Sequence, residues 1–197
     1  MGTVKTLAAT GAKASGGTSK TDMNTLVKNL VAIKPVQTVG VVYSKGEAGS
    51  EQQLEELQAL AQKYGFAVKE QNVRNAKEAL SLSKKLAKGC DALFLTESIS
   101  VGQNAQAIVA AVQANKCLVF SQIPGLVAEG AVLGLEADLA EQGAIVAVYA
   151  LQVLQGQQVQ LFPVKEAKKI SLKVNAQAAA ALGLTIPTTV ASQAKMM

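Results

Sequence analysis

The chain contains no histidine and no tryptophan. Without imidazole it can build neither a Ser-His-Asp nor a Cys-His relay, no proximal-histidine haem ligand and no zinc site that depends on that ring. The commonest hydrolase mechanisms are thereby excluded. Aromatic residues make up only 4% of the 197 positions, so the stacking platforms that hold single-stranded nucleic acid are hardly available. Cysteine occurs twice, as Cys90 and Cys117, with no CxxC spacing, and two thiols alone cannot make a structural zinc site. Both precede apolar runs, GCDALFLT and KCLVFSQ, which places them at strand starts. If those strands are neighbours, the thiols approach each other, and a disulfide becomes available in an oxidising compartment. Neither G-x-x-x-x-G-K-[ST] nor G-x-G-x-x-G occurs, so nucleotide binding by those two routes has no support. No apolar run reaches the length of a membrane span, and the first twenty residues, rich in alanine, carry no stretch of signal-peptide length. As written, the sequence is expected to be soluble and cytoplasmic.

What is present describes an ordinary folded chain. Hydrophobic residues reach 49%, with 16 Gly and 4 Pro. A chain of this length buries roughly 70% of its unfolded surface and needs no disulfide or metal to hold a core. The net charge of +5 comes from 19 Lys and Arg against 14 Asp and Glu. The lysines are scattered. Their densest groups, Lys84, Lys85 and Lys88, then Lys165, Lys168 and Lys169, lie beside apolar segments as solvated faces do, so nucleic acid is not an expected partner.

Periodicity indicates alternating helices and strands. Met23, Leu26, Val27 and Leu30 fall on one helical face, with Thr21 as the expected cap. Val36 to Tyr43 reads as a buried parallel strand. A helix with Leu54, Leu57, Ala61 and Tyr64 on one face stops at Gly65. Strand candidates follow at 66–70, 91–96, 118–121 and 131–135, separated by helices over 76–86 and 103–114. A helix over 138–154 is apolar nearly all round and is expected to be buried on several sides. A strand at 170–174 and a closing helix ending at Gly183 complete the pattern. Such alternation predicts an α/β fold, an open parallel sheet with helices on both faces.

In such sheets ligands bind beyond the carboxyl ends of the strands. The residues there are small and polar: Ser44, Gly49 and Ser50 after the first strand, Thr96, Glu97 and Ser98 after the third, Ser121 and Gln122 after the fourth. They suit a small zwitterionic or hydroxylated ligand. A competing reading of Ser50 is local, because Ser50 with Gln53 forms an S-x-x-Q capping box that accounts for the residue without a ligand. Glu97 is the carboxylate best placed for acid-base work, yet no nucleophile or metal-ligand cluster surrounds it. No catalytic residue, cofactor or metal is expected.

The segment TVGVVYSKGEAGSEQQLEELQALAQKYGFAV resembles the substrate-binding proteins of ABC transporters, in particular the tryptophan- and tyrosine-type amino-acid binders. The likeness extends through CDALFLTESISV and LVFSQIPGLVAEGAVLGLEADLAEQG to the ending ISLKVNAQAAAALGLTIPTTVASQA, and so covers nearly the whole chain. It implies a periplasmic-binding-protein-like (type I) fold of two α/β lobes, with the chain crossing between them more than once. Residues 1–20 then correspond to the end of a first-lobe helix and a Gly-rich crossing, and residues 21–135 to the second lobe. Residues 136–156 form a long helix normally associated with the first lobe, and 157–197 supply the return strand and C-terminal helix. The first lobe and its leader are expected to be largely missing.

The resemblance also implies a ligand site at Ser44, Gly49, Ser50, Thr96, Glu97, Ser98, Ser121 and Gln122. Ser50, Thr96 and Ser121 match family positions. Ser44 and Gly49 replace asparagines, Glu97 and Ser98 stand where Asp and Asn are common, and Gln122 replaces Asp. Glu97 remains able to pair with an ammonium group. The expected function is the solute-binding component of an ABC importer for an amino-acid-like ligand, partnered by an ABC permease if the protein is exported, as the family is. The alternative is a cytoplasmic single-lobe sensor or subunit-interaction module, dimerising through the surface a first lobe would cover.

Overall fold

The computed structural model describes residues 13–197. The first-lobe helix remnant expected before Gly11 lies outside them. In chain order the elements are β1 (Gly17–Thr18), α1 (Met23–Ile33), β2 (Thr38–Tyr43), α2 (Ala48–Tyr64), β3 (Ala67–Asn72), α3 (Ala76–Ala87), β4 (Ala92–Leu95), α4 (Ile99–Gly102), α5 (Ala105–Gln113) and β5 (Leu118–Ser121). They continue with β6 (Leu133–Ala137), α6 (Leu139–Leu154), a 3-10 turn (Val159–Leu161), β7 (Lys165–Glu166), β8 (Ile170–Val174), α7 (Ala176–Ala181), α8 (Thr188–Ala191) and β9 (Lys195–Met196). The chain divides into two compact units, one of residues up to Thr21 with Glu136–Ser171, the other of Asp22–Leu135 with Leu172–Met197.

The larger unit is organised on a sheet of order β3-β2-β4-β5-β6-β8-β9, in which β6 and β8 are the strands that carry the chain across the unit boundary. The pairs β2–β3, β2–β4, β4–β5, β5–β6 and β8–β9 are all parallel. Strands β4, β5 and β6 are buried along their whole length; β4 (ALFL) and the first three residues of β5 (LVF) are accordingly continuous apolar runs rather than alternating ones, while β6 (LGLEA) buries Glu136 among its apolar residues. β3, at an edge, reads AVKEQN and is mostly exposed or half-buried.

Each face of the sheet has its own core. On one, Leu26 and Leu30 of α1 and Leu57 of α2 pack with Val39, Val41, Phe94 and Phe120, whose rings lie 5.1 Å apart. On the other, Ala79 of α3 and Ile108, Val109 and Val112 of α5 meet Leu93, Leu95 and Val119. The expected α/β architecture with helices on both faces is thus what the chain adopts.

Several boundaries differ from expectation for local reasons. The cap of α1 is Asp22, not Thr21: its carboxylate accepts from the N–H groups of Asn24 (3.1 Å) and Thr25 (3.0 Å), whereas Thr21 is buried. β2 starts at Thr38 rather than Val36, because the N–H groups of Gln37 and Thr38 are both held by the Asp91 carboxylate, at 2.8 and 2.9 Å. Burial alone would raise the pKa of Asp91, but these two donors and Lys34 outweigh it and hold the group below its ordinary value. The helix expected over 103–114 is α5, and a short helix not expected, α4, precedes it because Ser98 caps a turn of its own by accepting from Val101 N–H at 3.0 Å.

The smaller unit joins β1 to β7 in parallel and sets α6 beside them. Asp138 caps α6 by accepting from Glu141 N–H at 2.7 Å. Tyr149 is the buried anchor of the helix, stacked on Phe162 at 4.9 Å and donating to the Pro163 carbonyl at 2.8 Å. Elsewhere the expectation of burial on several sides fails: Leu139, Val146, Val148, Leu151, Val153 and Leu154 are exposed, Leu154 over 84% of its surface.

Candidate ligand-binding site

β2 hydrogen-bonds to β3 on one side and to β4 on the other, so strand order reverses at β2, and ligands of open parallel sheets bind at the carboxyl end of such a reversal. The polar residues expected at the strand ends converge there. Ser50, in the first turn of α2, accepts from the backbone N–H of Ser44 at 3.0 Å, and its hydroxyl lies 2.7 Å from that of Thr96. Thr96 in turn donates to the Val42 carbonyl at 2.9 Å, which fixes the direction of the chain: Ser44 N–H to Ser50 Oγ, Ser50 hydroxyl to Thr96 Oγ1, Thr96 hydroxyl to Val42. Ser44 and Ser98 share a hydroxyl contact of 2.9 Å, and Ser121 donates to the Leu95 carbonyl at 2.7 Å while accepting from Ile123 N–H at 3.0 Å. All five hydroxyl residues are buried.

The capping-box reading of Ser50 is therefore overturned. The residue before α2 is Glu47, which makes no side-chain cap, and Ser50 is already inside the helix. Its hydroxyl faces the sheet instead. Gln53, one turn on, is the residue that sequence reasoning underused. Its amide oxygen accepts from Glu97 N–H at 2.7 Å, and its amide nitrogen donates to Glu97 at 3.0 Å and to Gln122 at 2.8 Å. The signal was in the spacing, since Ser50, Gln53, Leu54, Leu57 and Ala61 are the buried residues of α2 and form one stripe.

Glu97 differs from its neighbours in remaining exposed at the surface. Its carboxyl group is nonetheless surrounded by enough protein that burial pushes its pKa up to about 7, against the lowering effect of the Gln53 amide. Gly49 is also exposed, in the first turn of α2, with open space where a Cβ would stand. Glu47 accepts from Ile99 N–H at 2.8 Å and so ties the start of α2 to α4. The hydroxyl hydrogens of Ser50, Thr96 and Ser121 are committed within the protein and all three residues are buried, so this network braces the strand ends from beneath. No cluster of three or more metal-ligating side chains occurs among the described residues.

A parallel open sheet with polar side chains gathered at its point of strand reversal is the α/β arrangement in which small ligands bind at the carboxyl ends of the strands. The chain belongs to the ABC transporter substrate binding protein family, whose model matches residues 2–197. The family works by binding ligands rather than by catalysis. A curated relative, the tyrosine-binding protein of Clostridioides difficile, is 22% identical over 184 residues, which are 93% of this chain and 53% of that protein. The chain thus spans about half the length of that relative. Among solved structures, an ABC domain from Streptococcus pneumonia in complex with L-Trp is 26% identical, with a TM-score of 0.91 over 98% of this chain and 67% of its own. A conserved domain protein from Vibrio cholerae is 28% identical, with a TM-score of 0.93 over 98% of this chain and 66% of its own. Among the described residues no helix is long and apolar enough to cross a membrane.

Proposed function

We propose that the protein is the solute-binding component of an extracytoplasmic ABC importer, that it takes an amino-acid-like ligand, and that it delivers this ligand to an ABC permease. The observation that carries the reading is the convergence of Ser50, Thr96 and Glu97 at the carboxyl end of the sheet, in a chain similar to a domain bound to L-Trp. In this reading the ligand ammonium sits against Glu97, which Gln53 and the buried Ser50–Thr96 pair hold in place from behind. Its carboxylate sits at the first turn of α2 beside Gly49, where the helix has no side-chain cap and its N–H groups favour an anion. The larger unit is one ligand-binding lobe and the smaller unit is part of a second. Ser44, Ser98, Ser121 and Gln122 act behind the contact surface by holding those groups in place.

The 197 residues alone supply only part of a two-lobed enclosure, so binding is expected in the millimolar range, about 4 kcal/mol, rather than the micromolar range near 8 kcal/mol. Titrating aromatic and branched amino acids while following amide shifts by NMR tests this. Shifts should centre on residues 49–50 and 96–97, and affinity should rise from about pH 6 to about pH 8 as Glu97 ionises. Glu97→Gln should abolish that rise. Shifts confined elsewhere, or a pH response that survives the substitution, would remove the site from the proposal.

A further inference from the structure

At the opposite, amino-terminal edge of the same strands lie the two cysteines, and the binding site makes no use of them. The registers Ala92 with Leu118 and Leu93 with Val119 place β4 and β5 side by side, and Leu118 N–H donates to the Asp91 carbonyl at 3.2 Å. Cys117 is therefore opposite Asp91, one residue from Cys90. Cys90 lies not in β4 but just after the turn that ends α3, its N–H donating to the Ala87 carbonyl at 3.4 Å, so it is free of the strand alternation that would send its side chain to the face opposite Cys117. Both side chains pack against the same apolar cluster, that of Leu93, Leu95 and Val119, so they point to one face of the sheet. Cys117 is fully buried and Cys90 half-buried.

We propose that Cys90 and Cys117 are an oxidisable dithiol site, closed to an intrachain disulfide by a small disulfide oxidant or a disulfide-bearing oxidoreductase. Cys90 is the entry thiol. Its thiolate attacks one sulfur of the oxidant RSSR, forming a mixed disulfide and releasing one thiolate; Cys117 then displaces the second. Two electrons and two protons leave the pair, and the oxidant departs as two thiols. Cys90 owes this role to access, since burial raises its pKa, with Lys69 opposing and Asp91 adding to the rise, yet it is only half-buried where Cys117 is fully so. Cys117 is pushed up to about 12 by burial, with Cys90 and Asp91 adding to the shift and Lys34 opposing it, so it waits as the resolving thiol. The closed bond would fasten β4 to β5, the strands that lead to Thr96 and Ser121, at the end remote from the ligand.

The test begins with the reduced chain incubated with oxidised glutathione, alkylated in denaturant and weighed intact. The expected result is a monomer lighter by about 2 Da, with no alkylated cysteine and a linked peptide pair containing Cys90 and Cys117. Two alkylated thiols, a stable glutathione adduct or a disulfide-linked dimer would overturn the proposal. The oxidised form should also melt at a higher temperature than the reduced form; an equal or lower melting point would overturn the fastening of β4 to β5. In folded Cys90→Ser, Cys117 should label with maleimide at least tenfold more slowly than Cys90 does in folded Cys117→Ala. Equal rates in two variants with native circular dichroism would overturn the assignment of Cys90 as entry thiol.

Discussion

Ser50 shows how much depends on which way a single hydroxyl points. From the sequence it is a helix-start serine with a glutamine three residues later, and the local explanation is complete. In the folded chain the same spacing puts both residues on the buried stripe of α2, where they reach across to β4 and β5 exits instead of to their own backbone. Ser50→Ala leaves the Ser44 N–H without its acceptor and Thr96 without its donor, and is expected to destabilise the larger unit by about 1–3 kcal/mol. Thr96→Val removes the other side of the contact at nearly constant volume. Because each substitution orphans the same pair, a double-mutant cycle by urea unfolding should show coupling of about 0.5–3 kcal/mol, whereas a Ser50 that merely capped its helix would give additive losses.

At the scale of elements, what could be read from the sequence was the part that burial writes into it. β5 and β8 coincide with their expected ranges, and the stripe of Ala105, Ile108, Val109 and Val112 is buried as its period requires. The stop of α2 at Gly65 was legible for a stereochemical reason, since its φ of 74° belongs to the left-handed region that a Cβ disfavours. What escaped were the two-residue strands β1, β7 and β9, which are too short to carry a period, and β2's true start, which the distant Asp91 decides. The apolar face of α6 is the element with most to test. With Leu151 exposed over 56% of its surface and Leu154 over 84%, the isolated 197-residue chain is expected to self-associate through this face. Replacing both leucines by lysine should shift sedimentation toward the monomer while leaving Tyr149 and its stacking intact; a wild-type chain that stays monomeric at high concentration would contradict the expectation.

Seen whole, the chain interrupts its larger unit to build part of the smaller one. Residues 136–171 lie between two stretches that share a sheet, and the second stretch ends in β9, parallel to β8 through Lys173 with Lys195 and Val174 with Met196. Met197 N–H donates to the Val174 carbonyl, and Ala176 N–H to that of Met197, both within 3.1 Å. Deleting residues 195–197 should therefore cost about 1–3 kcal/mol of stability in a thermal or urea unfolding curve, although no residue of the ligand site is touched. The same arrangement sets the order of events during synthesis. Strands β2 to β5 are made first of the sheet and can pair with one another, but the sheet has no β8 or β9 until residues 170–196 have been translated. While residues 138–169 are being made, the larger unit presents an unfinished edge at β6, which makes that interval the period when a chaperone would have the most to protect.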